Sequence, residues 1–323
     1  MTSFASRLPG LLGIGLLGLA LLAQGQPAAA FPDRPVRVIV PWGAGGTSDL
    51  SMRKIAEIAA RGLGQPVVVE NKPGASGVVG MAEMAKAAPD GHTIALATGA
   101  TVFIAPNLRQ VPFDPQKDLT PIINYSGSYH GIVVPAASPW KTLADLLAEA
   151  KAKPGVLTFA TAGTYDGGHF AMLVLSRMQD LKFVHVPFQG SATAMTAMLG
   201  QHVSFGVISG FTEQVRAGQL RLLALLDGDR MEEFPDVPTL REAGIDWEYP
   251  SIMGVVGPAG LAPVARARLE KALGDAAATE EFRAYMRTIQ MPMRVMDGKA
   301  FEAMMSRELL RYRKAAVDYG IRQ

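Results

Sequence analysis

Pro41-Trp42-Gly43-Ala44-Gly45-Gly46-Thr47-Ser48-Asp49 follows an apolar run at residues 36–40 and precedes a helical pattern at residues 48–63. A short strand therefore runs through a glycine-rich turn into a helix. Met52, Ile55, Ala56, Ala59 and Leu63 share one face of that helix at helical spacing. The first amides of a helix lack internal partners and carry a partial positive charge. Glycine, having no Cβ, lets a ligand reach them closely. The stretch predicts a seat for an anion, a carboxylate or a phosphate.

Working outward, the same unit recurs. Residues 65–70 read as a strand ending in Asn71-Lys72-Pro73-Gly74-Ala75-Ser76-Gly77, ahead of a helix at 78–87. A strand at 93–97 completes the first set, and the pattern resumes with a strand at 131–135. Thr142-Leu143-Ala144-Asp145 is a capping box that opens a helix running to residue 153. A strand at 157–161 enters a third polar, glycine-rich turn at 162–168, and a helix at 169–178 follows. A strand at 183–188 enters Gln189-Gly190-Ser191 and a helix at 192–199. Residues 203–208 and 220–226 are further strands, 252–256 leads back to the first unit, and helices cover 263–278, 280–289 and 299–316.

Strands alternating with helices predict an α/β fold of mostly parallel sheets. Two lobes are expected, residues 31–130 plus 250–323 and residues 131–249, joined by two crossovers. The four glycine-rich turns then face one another across a cleft, where open α/β sheets hold their ligands.

Residues 1–30 read as a signal peptide. Arg7 is their only charged side chain, and residues 10–22 form an apolar run of 13 residues. That is short for a membrane span and right for a signal-peptide core. Ala28-Ala29-Ala30 supplies small residues before a cut ahead of Phe31, an uncleaved anchor being the alternative. The chain contains no cysteine, which excludes thiol catalysis, iron–sulfur clusters and cysteine-ligated zinc. At this length a core needs no disulfides, so the lack does not argue against export. Lysine and arginine number 31 against 29 acidic residues, with no basic run, so no nucleic-acid footprint is present.

Catalytic motifs fail on inspection. The third glycine of a dinucleotide fingerprint at residues 43–48 is replaced by Ser48, and no phosphate loop ending in Gly-Lys-Ser/Thr occurs. Ser51-Met52-Arg53-Lys54 and Ser138-Pro139-Trp140-Lys141 match Ser-x-x-Lys but lack their companion motifs. The five histidines show no metal spacing, so neither metal nor cofactor is expected. Asp49 and Asp166 lie in opposite halves and, with His169, can be read as an acid/base set. Helix-start aspartates commonly cap amides, which is the reading for Asp49. For Asp166 both readings stand, because Tyr165-Asp166-Gly167-Gly168 projects into the expected cleft. His169 opens a helix beside that turn and can brace it. Trp42 and Phe188 follow strand ends, where an aromatic side chain walls a pocket.

Further stretches carry a resemblance. They are Phe31-Pro32-Asp33-Arg34-Pro35, Gly45-Gly46-Thr47-Ser48-Asp49, Gly64-Gln65-Pro66-Val67-Val68-Val69-Glu70-Asn71-Lys72-Pro73-Gly74-Ala75, Ala88-Pro89-Asp90-Gly91-His92-Thr93, His185-Val186-Pro187-Phe188-Gln189-Gly190 and Phe234-Pro235-Asp236-Val237-Pro238-Thr239. In their order the chain resembles substrate-binding proteins of the tripartite tricarboxylate transporter system, the Bug family. The resemblance implies a monomeric, two-lobed periplasmic binding protein of type II-like architecture. It implies a small carboxylated ligand and delivery to membrane transporter subunits; a sensor reporting to a membrane receptor shares the fold, and a secreted enzyme using Asp49, Asp166 or His169 is the remaining alternative. By motif the ligand loops fall on Trp42, Gly45, Gly46, Thr47 and Asp49; on Ser76 and Gly77; on Thr161, Gly163, Thr164, Asp166 and His169; and on Gln189, Gly190 and Ser191.

Two positions depart from the family pattern. Tyr165 and Asp166 stand where Gly-Ser is usual, and Ser204 stands where an aspartate is frequent. An added carboxylate in the cleft repels a di- or tricarboxylate. It suits a ligand bearing an amine, an amide or a ring nitrogen.

Overall fold

The computed structural model describes residues 1–2 and 31–321, so the expected signal peptide lies, apart from Met1 and Thr2, outside the described residues. Three parallel strands start the chain: β1 (Val36–Val40) between β2 (Val67–Asn71) and β3 (Thr93–Ala97). Their β-branched side chains suit a pleated surface buried on both faces. Val36, Val38 and Val40 pack beneath α1 (Thr47–Leu63) and α8 (Pro263–Ala278), while Ile39 faces the opposite core with Met81 and Val102. The predicted apolar face of α1 is the buried one.

After α2 (Val78–Ala85) and β3, a π-helical turn at Ala100–Ile104 leads into α3 (Ala105–Leu108) and β4 (Leu119–Ser126). The chain then crosses to the second lobe: β5 (Gly131–Pro135), α4 (Leu143–Ala152), β6 (Thr158–Thr161), α5 (Gly167–Gln179) and β7 (Val184–Pro187). There follow α6 (Ser191–Leu199), β8 (Phe205–Ile208), α7 (Thr212–Arg216) and β9 (Leu220–Leu225). It returns at β10 (Met253–Pro258) and ends with α8, α9 (Glu280–Thr288), β11 (Met293–Asp297) and α10 (Gly298–Asp318). No helix among the described residues is long and apolar enough to cross a membrane.

The first sheet has the order β11-β4-β10-β3-β1-β2 and the second β7-β6-β8-β5-β9. Both are mixed, which corrects the expectation of mostly parallel pairing. β10 runs antiparallel to β3 and β4, and β5 antiparallel to β8 and β9. These are the strands by which the chain enters each lobe from the other. A chain arriving at the cleft meets the carboxyl ends of the strands already there and can only run away from them. Each crossover strand is therefore inserted against the local direction.

The two crossovers touch. Ser128 N–H donates to Ser251 Oγ at 2.9 Å. A Cβ on Gly127 would stand 2.5 Å from the Ser251 carbonyl oxygen, so only glycine permits this approach.

Candidate functional site

A cavity of about 470 Å³ lies between the lobes, at the carboxyl ends of β1, β3, β6 and β8. The first lobe contributes Trp42 to Ser48, Thr98 and Ala100; the second contributes Ala162, Asp166, Gly167, Gln189 to Ala192, Ser209 and Gln214. Ser128, His130, Tyr249 and Ser251 of the crossovers form its floor. Among the described residues no lysine or arginine lines it. A side chamber of about 240 Å³ adjoins it and shares Trp42, Gly43, Ala162 and Gln189. Ser76, Gly77, Gly163, Thr164, Phe188 and Arg109 belong to that chamber.

How the helices begin decides what the main chamber can do. α4, α9 and α10 are capped by the side chains of Thr142, Thr279 and Asp297. α1 and α6 begin after Gly46 and Gly190, with no side-chain cap. Both open into the chamber, one from each lobe. Their first amides are left for a ligand, and the helix dipoles favour an anion there. Gly190 has φ +120°, a conformation open to glycine and strained for any residue with a Cβ.

Behind the first seat, Asp49 shapes the loop. Its carboxylate accepts from Gly45 N–H at 2.9 Å, Asn71 Nδ2 at 2.8 Å and Arg53 Nε at 3.0 Å. Asn71 Nδ2 also donates to the Trp42 carbonyl at 3.1 Å. Burial pushes the Asp49 carboxyl up, but the bonds from Arg53, Gly45 and Asn71 outweigh it and hold the group below the usual carboxylate range.

On the second lobe, Asp166 closes α5 itself, its Oδ1 accepting from His169 N–H at 2.8 Å. Burial pushes it up to about 7, against the pull of the His169, Ala162, Gly163 and Gly168 amides. Among the described residues Asp166 is the only acidic one lining the chamber. His169 Nδ1 accepts from Tyr165 N–H at 2.9 Å, and its ring stacks on His185 with centroids 3.7 Å apart. His185 Nε2 bonds Thr161 Oγ1 at 2.8 Å, and that hydroxyl donates to the Gly163 carbonyl at 2.9 Å. Burial, aided by the neighbouring His185, pushes His169 down to about 3; burial pushes His185 to about 4. Both rings are neutral near pH 7 and serve as a spacer that holds the third loop.

Of the residues singled out in the sequence, Trp42, Gly45, Gly46, Thr47, Asp166, Gln189, Gly190 and Ser191 line the main chamber. Ser76, Gly77, Gly163, Thr164 and Phe188 line the side chamber. Asp49, Thr161 and His169 line neither; they stand behind the loops and brace them. Ser204 also lies outside. It bonds Thr158 where β6 and β8 begin, the end away from the cleft, so that departure does not reach the ligand space. Sequence reasoning missed Thr98, Ser128, His130, Ser209, Gln214, Tyr249, Ser251 and Arg109. For Thr98 and Ser209 a signal exists: each is a lone polar residue directly after an apolar strand. The buried hydroxyls of Thr98 and Ser128, Trp42 Nε1 and Gln214 Oε1 have no partner among the described residues. Buried polar atoms are rarely left so, and all four belong to residues that line the chamber.

The lobes also meet around the rim. Ser76 Oγ donates to the Thr164 carbonyl, and Gln290 Nε2 donates to Glu213 Oε1 at 2.7 Å. Arg109 donates to the Ala75 carbonyl at 2.5 Å while its guanidinium lies 5.9 Å from the Tyr165 ring centre. Among the described residues there is no cluster of side chains suited to a metal ion.

Residues 51–318 match the family profile described as "Tripartite tricarboxylate transporter family receptor". The chain is 38% identical over 303 residues to "UPF0065 protein in gbd 5'region" of Cupriavidus necator, covering 94% of this chain and 92% of that one. Its fold is similar to the periplasmic binding protein BugD, with TM-score 0.83 and 27% identity over 90% of this chain and 99% of that one. It is also similar to MatC from Rhodopseudomonas palustris with bound malate, with TM-score 0.82 and 26% identity over 88% and 99% of the two chains. Two mixed α/β lobes around a shared chamber and a profile match over most of the length converge: this chain belongs to the tripartite tricarboxylate transporter receptor family, whose members are periplasmic binding proteins.

Proposed function

We propose that this chain captures a small carboxylated organic molecule between its lobes in the periplasm and presents it to the membrane subunits of a tripartite tricarboxylate-type transporter. The observation that carries this reading is the pair of uncapped helix starts, α1 and α6, converging from opposite lobes on one chamber without a basic side chain. A carboxylate there is held by main-chain N–H groups and by the hydroxyls of Thr47 and Ser191. Charge-assisted bonds of this kind contribute about 1.5–3 kcal/mol each. Three or four of them supply about 4.5–12 kcal/mol before the cost of immobilising the ligand, so burial of the rest of the ligand in the closed chamber has to supply the remainder of the roughly 8 kcal/mol of a micromolar complex. The malate bound by MatC, a molecule with two carboxylates, fits the same class of ligand.

Binding without chemistry is supported by the fate of two of the three acid/base candidates. Asp49 is fully occupied by three donors, and His169 is turned into a stack behind the loop. We further assign residues 1–30 to export and removal, residues 31–130 with 250–321 and residues 131–249 to two lobes moving as bodies, and a monomer to the working state.

Thr47→Pro tests the seat. Proline is favoured at the first helical position, and Gly46 is already extended, as a residue before proline must be. The change deletes one free N–H and leaves the helix. Calorimetry against a panel of organic acids should show at least a tenfold weaker complex than the Thr47→Ala control, with both variants melting within a few degrees of each other. Equal affinities in the two variants would sink the main-chain seat, and an acid returned chemically altered would sink the binding-only reading.

A further inference from the structure

We propose that Asp166 makes the chamber a one-anion site: the ligand carries a single carboxylate, and the end that meets the second lobe is an amide, an amine or a ring nitrogen. This rests on the binding reading above and names the class of ligand within it. Three helices start around the main chamber, and they are not equivalent. α1 and α6 offer free amides, whereas α5 is already occupied by its own residue. The Asp166 carboxylate sits where a second ligand carboxylate would sit, 6% exposed on the chamber wall, bonded to His169 N–H and facing the Ala162, Gly163 and Gly168 amides.

Among the described residues no lysine or arginine lines the main chamber to offset a second negative charge, and Arg109 lines only the adjoining side chamber. Tyr249, from the returning crossover, packs against Gly167 beside Asp166, and His130 meets the Tyr249 ring edge-on at 4.8 Å. Burial pushes His130 down to about 4, so it is neutral near pH 7, and His169 on the helix itself is neutral too. Like charges at close range in a partly desolvated site disfavour each other strongly. A nitrogen group, by contrast, gains from the carboxylate. The chamber also offers it the unpartnered hydroxyls of Thr98, from the first lobe, and Ser128, from the floor, each more than nine-tenths buried.

The test uses matched probes that differ by one carboxylate: succinate against succinamate, and glutarate against glutaramate. Each is titrated into the mature chain at pH 8 by calorimetry. The monoamide should bind at least tenfold tighter than its diacid. Asp166→Asn keeps a capping oxygen and removes the charge, and should move that ratio at least tenfold toward the diacid. Asp166→Ser, a smaller cap, should move it the same way, so a folding defect in one variant does not remove the test. A wild-type chain that prefers the diacid, or a ratio that neither variant changes, overturns the proposal. Diacid binding that Arg109→Ala abolishes also overturns it, by putting the second carboxylate in the side chamber. Silence toward every mono- and dicarboxylate in the panel is a different failure: it removes the carboxylate reading itself.

Discussion

Asp49 shows how much a residue can do for a site it never touches. Three donors converge on its carboxylate, and one of them, Gly45 N–H, lies in the loop that leads into the proposed anion seat. Asp49→Ala removes their acceptor, but Gly45 is exposed, the Arg53 side chain is 47% exposed and Asn71 is half-buried, so water replaces part of what is lost. A loss of about 1–2 kcal/mol in urea unfolding is expected, together with weaker ligand binding. Asp49→Asn should cost less and bind better. The carboxyl lies below its ordinary range when folded. Its contribution is therefore complete above that range and is lost as pH falls through the lower folded value, and the Asn variant should lack that loss. This role was legible: an aspartate at a helix start after a glycine turn reads as a cap. Asp166 was legible only as two competing readings, a cap or an acid/base partner: it caps α5, and it also lines the chamber. Arg109 could not be read. It follows a four-residue helix at a position no spacing rule marks, and only the fold brings it to the side chamber.

At the scale of elements, the His169–His185 pair joins α5 to β7 and fixes the turn at 162–168 that precedes α5. Both rings titrate below 6.5 in the folded chain, at about 3 and about 4. The unfolded chain takes up protons first as the solution is acidified. The stability they supply is complete above about pH 6.5 and is lost on descending toward pH 4. His185→Phe keeps an aromatic plane in the stack and removes one titration. Its melting temperature should fall less steeply than the wild type's between pH 6.5 and 4, although its value at pH 7 is lower because the Thr161 bond is gone. An identical slope would remove the stack from the acid response. The strands around this region were readable because their apolar runs are short and bounded by turns. β4 and β11 were not. β4 carries Pro121 and Asn124 in its interior, tolerated because its pairing with β10 shifts register there, and β11 is partly exposed and lacks alternation.

For the whole molecule, the repeat of strand, glycine turn and helix made two lobes visible before any coordinates. The mixed pairing was invisible because strand direction is decided by where a crossover enters, and sequence periodicity carries no direction. The lobes touch at Ser76–Thr164 on one side and at Gln290–Glu213 on the other. Both bonds span the cleft, so opening it has to break them. The double variant Ser76→Ala, Gln290→Ala should shift the ligand-free chain toward an open form. X-ray scattering should give a larger radius of gyration than for the wild type, and a saturating carboxylate ligand should restore the smaller value at a cost of a few fold in affinity. An unchanged radius in the ligand-free variant would mean that these contacts do not hold the lobes together.

The grip on the ligand's acid is written into the peptide chain and not into any one codon. Replacing Thr47 or Ser191 by almost any residue leaves an N–H in place, and only proline deletes it. The positions around it, Asp166, Thr98 and Ser128 among them, change character with a single substitution. Descendants of this chain can therefore exchange one cargo for another by drifting in the surrounding side chains, while the means of holding a carboxylate is inherited intact.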